Sequence, residues 1–500
     1  MKVFREPDSV RPQLFISPMC VDEFVPSDSY VRVLDKVVNS LDLYDILRRY
    51  PGGGAPAYHP RMLLKLLVFA YSQGIRSSRR IAELCERDLW CMFLCEMQKP
   101  DFHTIARFRR KHVSAFKALF LHTVRSCQEE GLVLLEHVAV DGTKIEADVS
   151  GRRTYSAKRA EHDAADAQVT IDRILAEAEA ADKEDELKDQ AAAAKNAHAL
   201  QNLKRRKEHA EAALKEIQET GRSTIATTDL DSRVMKTGSG NRPAYNAQAA
   251  VDDAHGVIVA AAITQDTGDG AQLPQMVPEI TRNTGCEPAH VTADTGFHTP
   301  ETLEAMDEQG IDAYIAQYSK RPSREGFEYD LDKDEITRTD PKTGDTLVLK
   351  FYRMRKQTNK TYRVYRDAKN AKDMYFTLRP DNELEREARM RAKLQTAAGK
   401  AIYKKRQETV EPVFGHIKTR LGLRRFLLHG KSGATTEFLL ACSAHNILKI
   451  ACHAFIRLIT ALFSVEIRHL REFYTIACKS SRCYCQPKQN TKTRLILAIF

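Results

Sequence analysis

Five hundred residues, 43% hydrophobic and 29% charged, make an ordinary globular composition that excludes collagen-like, mucin-like and wholly disordered chains and predicts more than one domain. Lys and Arg number 77 against 67 Asp and Glu, a net charge of +10 that favours polyanionic partners such as nucleic acid or an anionic membrane surface. The 11 cysteines are scattered, and the first twenty residues hold no apolar signal core, so a reduced cytoplasm is expected.

No run reads as a membrane span; the nearest, Ala454 to Val465, is short and contains Arg457. The basic surplus is therefore assigned to nucleic acid. From Ser27 to about Gly131 the pattern is helical, with Val31, Leu34, Val37, Val38 and Leu41 at three- and four-residue spacings and an apolar block from Met62 to Tyr71. Pro60 and Pro100 stand where helices begin. Asp101 is placed to cap a helix carrying Arg107, Arg109, Arg110 and Lys111, a candidate element for lying along DNA phosphates. A solvated basic face is the equal alternative for that helix taken alone.

The period then changes. Leu132 to Leu135 and His137 to Val140 read as a buried strand that stops at a turn, Asp141-Gly142-Thr143. Between Gly151 and Gly221 there is neither glycine nor proline, and an Ala-, Glu- and Lys-rich composition predicts a long helix or helical hairpin inserted into a strand-rich region. Tyr245 to Val251 and Val257 to Thr264 form a hairpin around Asp252 to Gly256, where Asp252 and Asp253 are read as turn residues. A helix from Leu273, a strand from His290 to Ala293 ending at Asp294-Thr295-Gly296, a helix from Pro300 and a strand from Ile311 to Ile315 follow. Ser319 to about Lys400 is a charged insertion with extended stretches at Thr346 to Tyr352 and Thr361 to Tyr365, and helices return at Ile402 to Arg420 and Thr436 to Ile459. The fold class is α/β (α+β): a mixed sheet flanked by helices behind an all-helical N-terminal region.

Six segments are expected: a helical DNA-binding domain over 1–131, a catalytic core over 132–150 and 222–318, a helical insertion over 151–221, a basic β-containing insertion over 319–400, helices of the core over 401–457, and a variable tail over 458–500. In that tail Cys483-Tyr484-Cys485 is too tightly spaced for a zinc knuckle, and no metal is assigned to it.

Work on a phosphodiester calls for activating an oxygen nucleophile and neutralising the attacking and leaving oxygens, a task two divalent cations perform when a few carboxylates hold them. Asp141 and Asp294 each close an apolar strand, and Glu411 lies on a later helix able to cross the same sheet edge. Taken singly, an Asp before Gly is more often a plain turn residue, and Glu411 an ordinary surface acid. Jointly they stand inside a basic region, since Phe351 to Lys431 holds 22 Lys and Arg against 8 Asp and Glu.

These residues resemble the bacterial insertion-sequence transposases with an Asp-Asp-Glu (DDE) triad on a ribonuclease-H-like fold, in the branch marked by a Tyr-Arg-Glu-Lys signature. The resemblance is carried by Val138-Ala-Val-Asp-Gly-Thr-Lys-Ile-Glu-Ala147, Asp231-Ser-Arg-Val-Met-Lys-Thr237, Tyr245-Asn-Ala-Gln-Ala-Ala-Val-Asp252, Val291-Thr-Ala-Asp-Thr-Gly-Phe-His298 and Tyr403 through Lys418, in that order. It implies Asp141, Asp294 and Glu411 as ligands of two Mg2+ ions, with Mn2+ able to substitute, and Lys418, Arg406 and Tyr403 as DNA contacts. Double-stranded DNA, both element ends and target, is the implied partner, with a homodimer at synapsis, no membrane, and a cytoplasmic, nucleoid-associated setting. The signature departs by one residue: four residues separate Arg406 from Glu411, where three are usual. Glu408 is a decoy one turn upstream, and Pro412 predicts a kink or a new helix start at Glu411. An inactive DNA-binding relative and a nuclease that cuts without joining are the alternatives. His298 and His416 are expected to be structural histidines, and Asp231, Arg233 and Lys236 to order their loop or touch DNA.

Overall fold

The computed structural model describes residues 21–480 apart from 49, 51–56, 151–152, 182–189, 318–326, 331–334, 340–344, 358–359, 368–372 and 378–380. Cys483 and Cys485 therefore lie outside the described residues. Two compact units are present, Met1–Lys449 and Ile450–Phe500.

Among the described residues the first unit opens on a short 3-10 turn (Val21–Phe24) and continues with the helices α1 (Tyr30–Asn39), α2 (Tyr44–Leu47), α3 (Pro60–Ser72), α4 (Ser78–Arg87), α5 (Leu89–Leu94), α6 (Phe102–Lys111) and α7 (Val113–Glu129). Their apolar stripes meet as the spacing predicts, with Val31, Leu34, Val37 and Val38 of α1 buried against α3, itself buried along almost its whole length. Pro60 occupies the first turn of α3, where His59 Nδ1 accepts the Arg61 N–H at 3.1 Å. Asp101 caps α6 by accepting the N–H groups of His103 (2.8 Å) and Thr104 (3.1 Å), an arrangement worth about 1 kcal/mol.

After α7 come β1 (Val138–Glu146), β2 (Thr154–Ser156), the helical hairpin α8 (Ala157–Ala181) and α9 (Gln190–Thr220), then β3 (Thr224–Ala226), β4 (Arg233–Thr237), β5 (Gly240–Asp252) and β6 (Ile258–Thr264). α10 (Leu273–Thr284), β7 (Val291–Ala293), α11 (Pro300–Glu308) and β8 (Ala313–Ile315) complete the central layer. The sheet runs β4-β5-β1-β7-β8, with β6 also on β5. β5 and β6 are antiparallel neighbours, β5 is antiparallel to β1, and β7 and β8 run parallel to β1 and to one another. Three antiparallel strands followed by two parallel ones is the ribonuclease-H-like order.

One expectation at this sheet is corrected. Asp141 does not end its strand: β1 continues to Glu146, and Leu132 to Leu135 form no strand. The long partner β5 overrides the local Asp-Gly turn signal by keeping register from Val138↔Asp252 to Glu146↔Ala244.

The inserted hairpin packs α8 on α9 around Tyr155, Ala160, Ala210 and Ala213, its small residues letting the helices approach closely, while β2 and β3 pair at its base. The later insertion is a second, antiparallel sheet ordered β13-β12-β11-β10-β9, from β9 (Phe327–Asp330), β10 (Glu335–Thr339), β11 (Thr346–Gln357), β12 (Lys360–Asp367) and β13 (Asp373–Thr377). Ile336, Leu349 and Tyr365 are its core. α12 (Asp381–Gln395) and α13 (Ala397–Gly415) follow, and α13 lies across β1, β5, β7 and β8. The break expected at Glu411 is absent: α13 runs through Pro412 and passes into a wider π turn at His416–Arg420.

The final helix α14 (Gly430–Ser480) includes a stretch, Gly430–Arg457, that is long and apolar enough to cross a membrane. That corrects the sequence reading, which found no such stretch. Many of its apolar side chains are core, with Phe438, Leu440, Cys442, Ala444 and Ile447 fully buried, whereas Phe455 and Ile456 are exposed. Asn446 in the same helix clasps the backbone of Ile258 through both its carboxamide atoms, at 3.0 and 2.9 Å.

Candidate active site

β1 and β7 deliver two carboxylates to one place. Their parallel register ends at Val140↔Ala293, so Asp141 and Asp294 are the next residue on each strand. Asp141 Oδ1 accepts its neighbour Gly142 N–H at 2.7 Å, and Asp294 Oδ1 accepts Gly296 N–H at 2.8 Å at the head of a short 3-10 turn, Thr295–Phe297. Burial pushes the Asp141 carboxyl up to about 6; Arg406 opposes that rise and the charge of Asp294 adds to it. The two acids thus repel across a partly desolvated gap.

α13 supplies the balancing charge. Its buried face carries Arg406, Val410 and Val413, and Arg406 Nη1 donates to Asp141 Oδ2 at 3.0 Å. Tyr403, one turn earlier and half-buried, hydrogen-bonds with Arg406; burial raises its hydroxyl, with Arg406 opposing and both aspartates reinforcing. Lys418 in the π turn also reaches this field: burial and the nearby Arg424 lower its ammonium, and Asp141 works against them. Beside Tyr403 opens a cavity of about 640 Å³ whose walls include Gln317, Arg391, Lys400 and Lys404.

The structure therefore brings Asp141, Asp294, Arg406, Tyr403 and Lys418 into one neighbourhood and leaves Glu411 out of it. Glu411 is exposed, five residues beyond Arg406 and so about 140° around the helix. Glu408 is exposed as well. Among the described residues no three His, Cys, Asp or Glu side chains stand close enough together to hold one metal ion.

On α6, Arg107, Arg110 and Lys111 are exposed as a DNA-facing set requires, whereas Arg109 is turned inward. Arg109 donates to Tyr71 Oη at 3.0 Å and to the Arg76 carbonyl at 2.7 Å. Arg406, expected on DNA, is likewise buried and committed to Asp141. His416 contacts His445 through their Nδ1 atoms at 3.0 Å, a structural pairing. Asp231 accepts the Lys431 N–H at 2.9 Å, and Arg233 donates to the carbonyls of Leu230, Asp231 and Ser232, so these two residues order their loop. Asp252 is more than a turn residue: Oδ2 accepts Leu134 and Leu135 N–H groups and Oδ1 accepts Ala254 N–H.

Sequence reasoning missed a polar layer beneath the acids. Asn246, Gln248 and Lys144 converge on Asp269, in the loop after β6. The signal was available in Tyr245-Asn-Ala-Gln, where polar side chains alternate on a strand otherwise built from core residues.

Two family models match the chain, the "Transposase domain (DUF772)" over residues 19–111 and the "Transposase DDE domain" over residues 222–447. The chain belongs to the DDE transposases. The first match covers the N-terminal helices through α6, and the second carries Asp294, Arg406 and Glu411 but starts after Asp141. No curated protein matches the transposase. Among solved structures, the cryo-EM structure of the piggyBac transposase synaptic complex with hairpin DNA aligns with 85% of this chain and 74% of that chain. The identity there is 8% and the TM-score 0.32, too loose a likeness to bear on the site.

Proposed function

We propose that this transposase binds the terminal inverted repeats of an insertion sequence, cuts DNA strands there and joins the freed 3′ hydroxyl to target DNA, with Asp141, Asp294 and Glu411 as its catalytic acids. The observation that carries the reading is the Asp141–Asp294 pair: two carboxylates on adjoining parallel strands, partly desolvated, mutually repelling and balanced by a single guanidinium. Hard, charge-rich oxygen donors of this kind fit one divalent cation such as Mg2+ or Mn2+. When bound, that cation supplies activation of an oxygen nucleophile and neutralisation of charge at the phosphate.

The protein's own residues do the rest. Asp141 and Asp294 would hold the ion, and holding a second through Glu411 requires α13 to present a face other than the one carrying Arg406. Lys418, Lys400, Lys404 and Arg391 offer backbone phosphates cationic partners beside the acids, and the exposed Arg107, Arg110 and Lys111 do so on α6. Two DNA ends must be held at once, so the working form is proposed as a homodimer at synapsis, acting in the cytoplasm on nucleoid DNA.

The test is strand joining. Given a pre-cut end bearing a 3′ hydroxyl and Mg2+, the protein should join it to a target plasmid, and Asp141→Asn, Asp294→Asn and Glu411→Gln should each lose joining while retaining end binding. Cleavage without joining would make it a nuclease, and unaltered joining by Glu411→Gln would remove Glu411 from the triad.

A further inference from the structure

Beyond Val140↔Ala293 no backbone ladder ties β1 to β7, yet the two acids that sit immediately past that point repel one another. Something other than the sheet must fix their separation. Side chains alternate along a strand, so Gly142 and Lys144 face the side of the sheet opposite to Asp141. On that side the loop after β6 folds back and inserts Asp269. Its Oδ1 accepts from Gln248 Nε2 (2.7 Å), Asn246 Nδ2 (2.7 Å) and Lys144 Nζ (3.0 Å). Asn246 also donates to the Asp266 carbonyl at 3.2 Å, and both Asn246 and Gln248 are fully buried, so the loop is clamped from below.

The clamped carboxylate reaches both acid-bearing turns. A Cβ on Gly142 would stand 2.5 Å from Asp269 Oδ1 and 2.3 Å from Gln248 Nε2, closer than atoms approach. A Cβ on Gly296 would stand 3.4 Å from Asp269 Oδ2 and 3.0 Å from Asp294 Oδ1. The Asp269 side chain thus fills the space a Cβ at Gly142 would need and lies in van der Waals reach of the turn at Gly296. The loop is tied on to the start of α11 by the hydrogen bond from the Thr302 hydroxyl to the Gly270 carbonyl.

We propose that Asp269 is a positioning residue of the transposase: wedged between the Gly142 and Gly296 turns from the far side of the sheet, it sets the gap between the Asp141 and Asp294 carboxylates. Lys144 neutralises it and three donors occupy one of its oxygens, so it acts through the backbone and not as a ligand. The inference rests on the assignment of Asp141 and Asp294 as the cation-holding pair.

The experiment uses the full chain and two variants that disturb the wedge differently. Asp269→Ala removes it, and Gly142→Ala keeps its charge but pushes it aside. For each, the melting temperature is followed against Mn2+ concentration, with end binding to a labelled terminal repeat as the check on folding and Mg2+-dependent cleavage as the second readout. Both variants should bind ends as the wild type does, need at least about tenfold more Mn2+ for half of the thermal shift, and lose cleavage in proportion. A variant that binds ends with an unchanged Mn2+ midpoint overturns the proposal. So does a lower melting temperature without Mn2+ and no change in midpoint, because that marks a merely structural residue. Should Asp269→Ala fail to fold, Gly142→Ala decides by the same criterion. Asp141→Asn is the control: if it leaves the Mn2+ shift intact, the assignment of the acid pair fails, whatever Asp269 does.

Discussion

Glu437 joins the N-terminal helices to the segment that leads into α14, and its removal should be among the most damaging single changes in the protein. The side chain is fully buried at the start of α14. Oε1 accepts the N–H groups of Leu427 (2.8 Å) and Leu428 (2.6 Å), and Oε2 stands 3.3 Å from Arg76 Nη1. Arg76 in turn donates to the Arg425 carbonyl at 2.6 Å, and Arg109 lies within the same electrostatic cluster. Replacing Glu437 by Ala strands two backbone donors, at about 1–3 kcal/mol each when buried, and leaves arginine charge without its acid, at about 3–5 kcal/mol. These losses overlap, because one relaxation or one invading water relieves several of them, so a total of about 4 kcal/mol is expected. Glu437→Gln keeps an oxygen where both N–H groups point and loses only the charge, so it should cost about 1–2 kcal/mol. Urea unfolding followed by circular dichroism measures both. Equal losses for the two variants, or a loss below about 1 kcal/mol for Ala, would refute the assignment of the buried carboxylate as the shared acceptor.

His445 donates Nε2–H to the Gly256 carbonyl at 2.9 Å, and burial, reinforced by His416 and Lys449, lowers its pKa from 6.5 to about 3. A histidine depressed in the fold is protonated first in the unfolded chain, so stability is full above pH 6.5 and falls as pH drops toward 3. The loss should be about 2 kcal/mol by pH 5, and His445→Asn should flatten that slope in urea titrations between pH 7 and 5. On α6, Arg107→Ala, Arg110→Ala and Lys111→Ala should each weaken DNA binding across sequences and reduce the log–log salt slope by about 1 while leaving the melting temperature unchanged. Arg109→Ala should instead lower the melting temperature, since its guanidinium holds Tyr71 and the Arg76 carbonyl; a pure binding defect would reverse that assignment. Gly142→Val should lower the melting temperature well below that of Gly142→Ala, because its two further methyl groups enter a space where the first Cβ has already displaced Gln248 and Asp269.

Much of the fold was legible because periodicity and punctuation agree with tertiary packing. The glycine-free run after Gly151 folds as a helical hairpin, and the β5–β6 hairpin turns where Asp252 to Gly256 announced it. The Asp141–Asp294 pair was readable because both acids follow valine- and alanine-rich strands. What failed did so for identifiable reasons. Asp141-Gly142 looks like a turn locally, and only the length of β5 shows that the strand continues. Arg109 was grouped with its basic neighbours, yet Ile105, Phe108 and Arg109 stand at the i, i+3, i+4 spacing of a buried stripe, and all three are buried. The short β9, β10 and β13 carry too few residues for alternation to register. Asp269 could not be found from its own surroundings, since Thr-Gly-Asp-Gly is an ordinary loop until Asn246 and Gln248 are seen reaching for it.

The basic surplus between Phe351 and Lys431 requires the same residue-level accounting before it is read as attraction for DNA. Arg386 pairs with Glu304 at 2.8 Å, Arg389 with Asp307 at 2.7 Å, Lys405 with Asp253 at 2.9 Å, Arg406 with Asp141 at 3.0 Å and Arg425 with Glu146 at 2.9 Å, and Lys393 pairs with Asp312. Every one of those acids lies outside the segment, so these cations fasten α12, α13 and the turn after them to α11 and the central sheet and add little to the outward field. Arg391, Lys400 and Lys404 are in none of these pairs and gather on the cavity beside Tyr403. A field summed over the whole surface steers a polyanion, but a cluster left over after internal pairing decides where it lands. Here that cluster borders the neighbourhood of Asp141 and Asp294, so under the proposed function the charge that would draw a DNA backbone in would bring it to the acids.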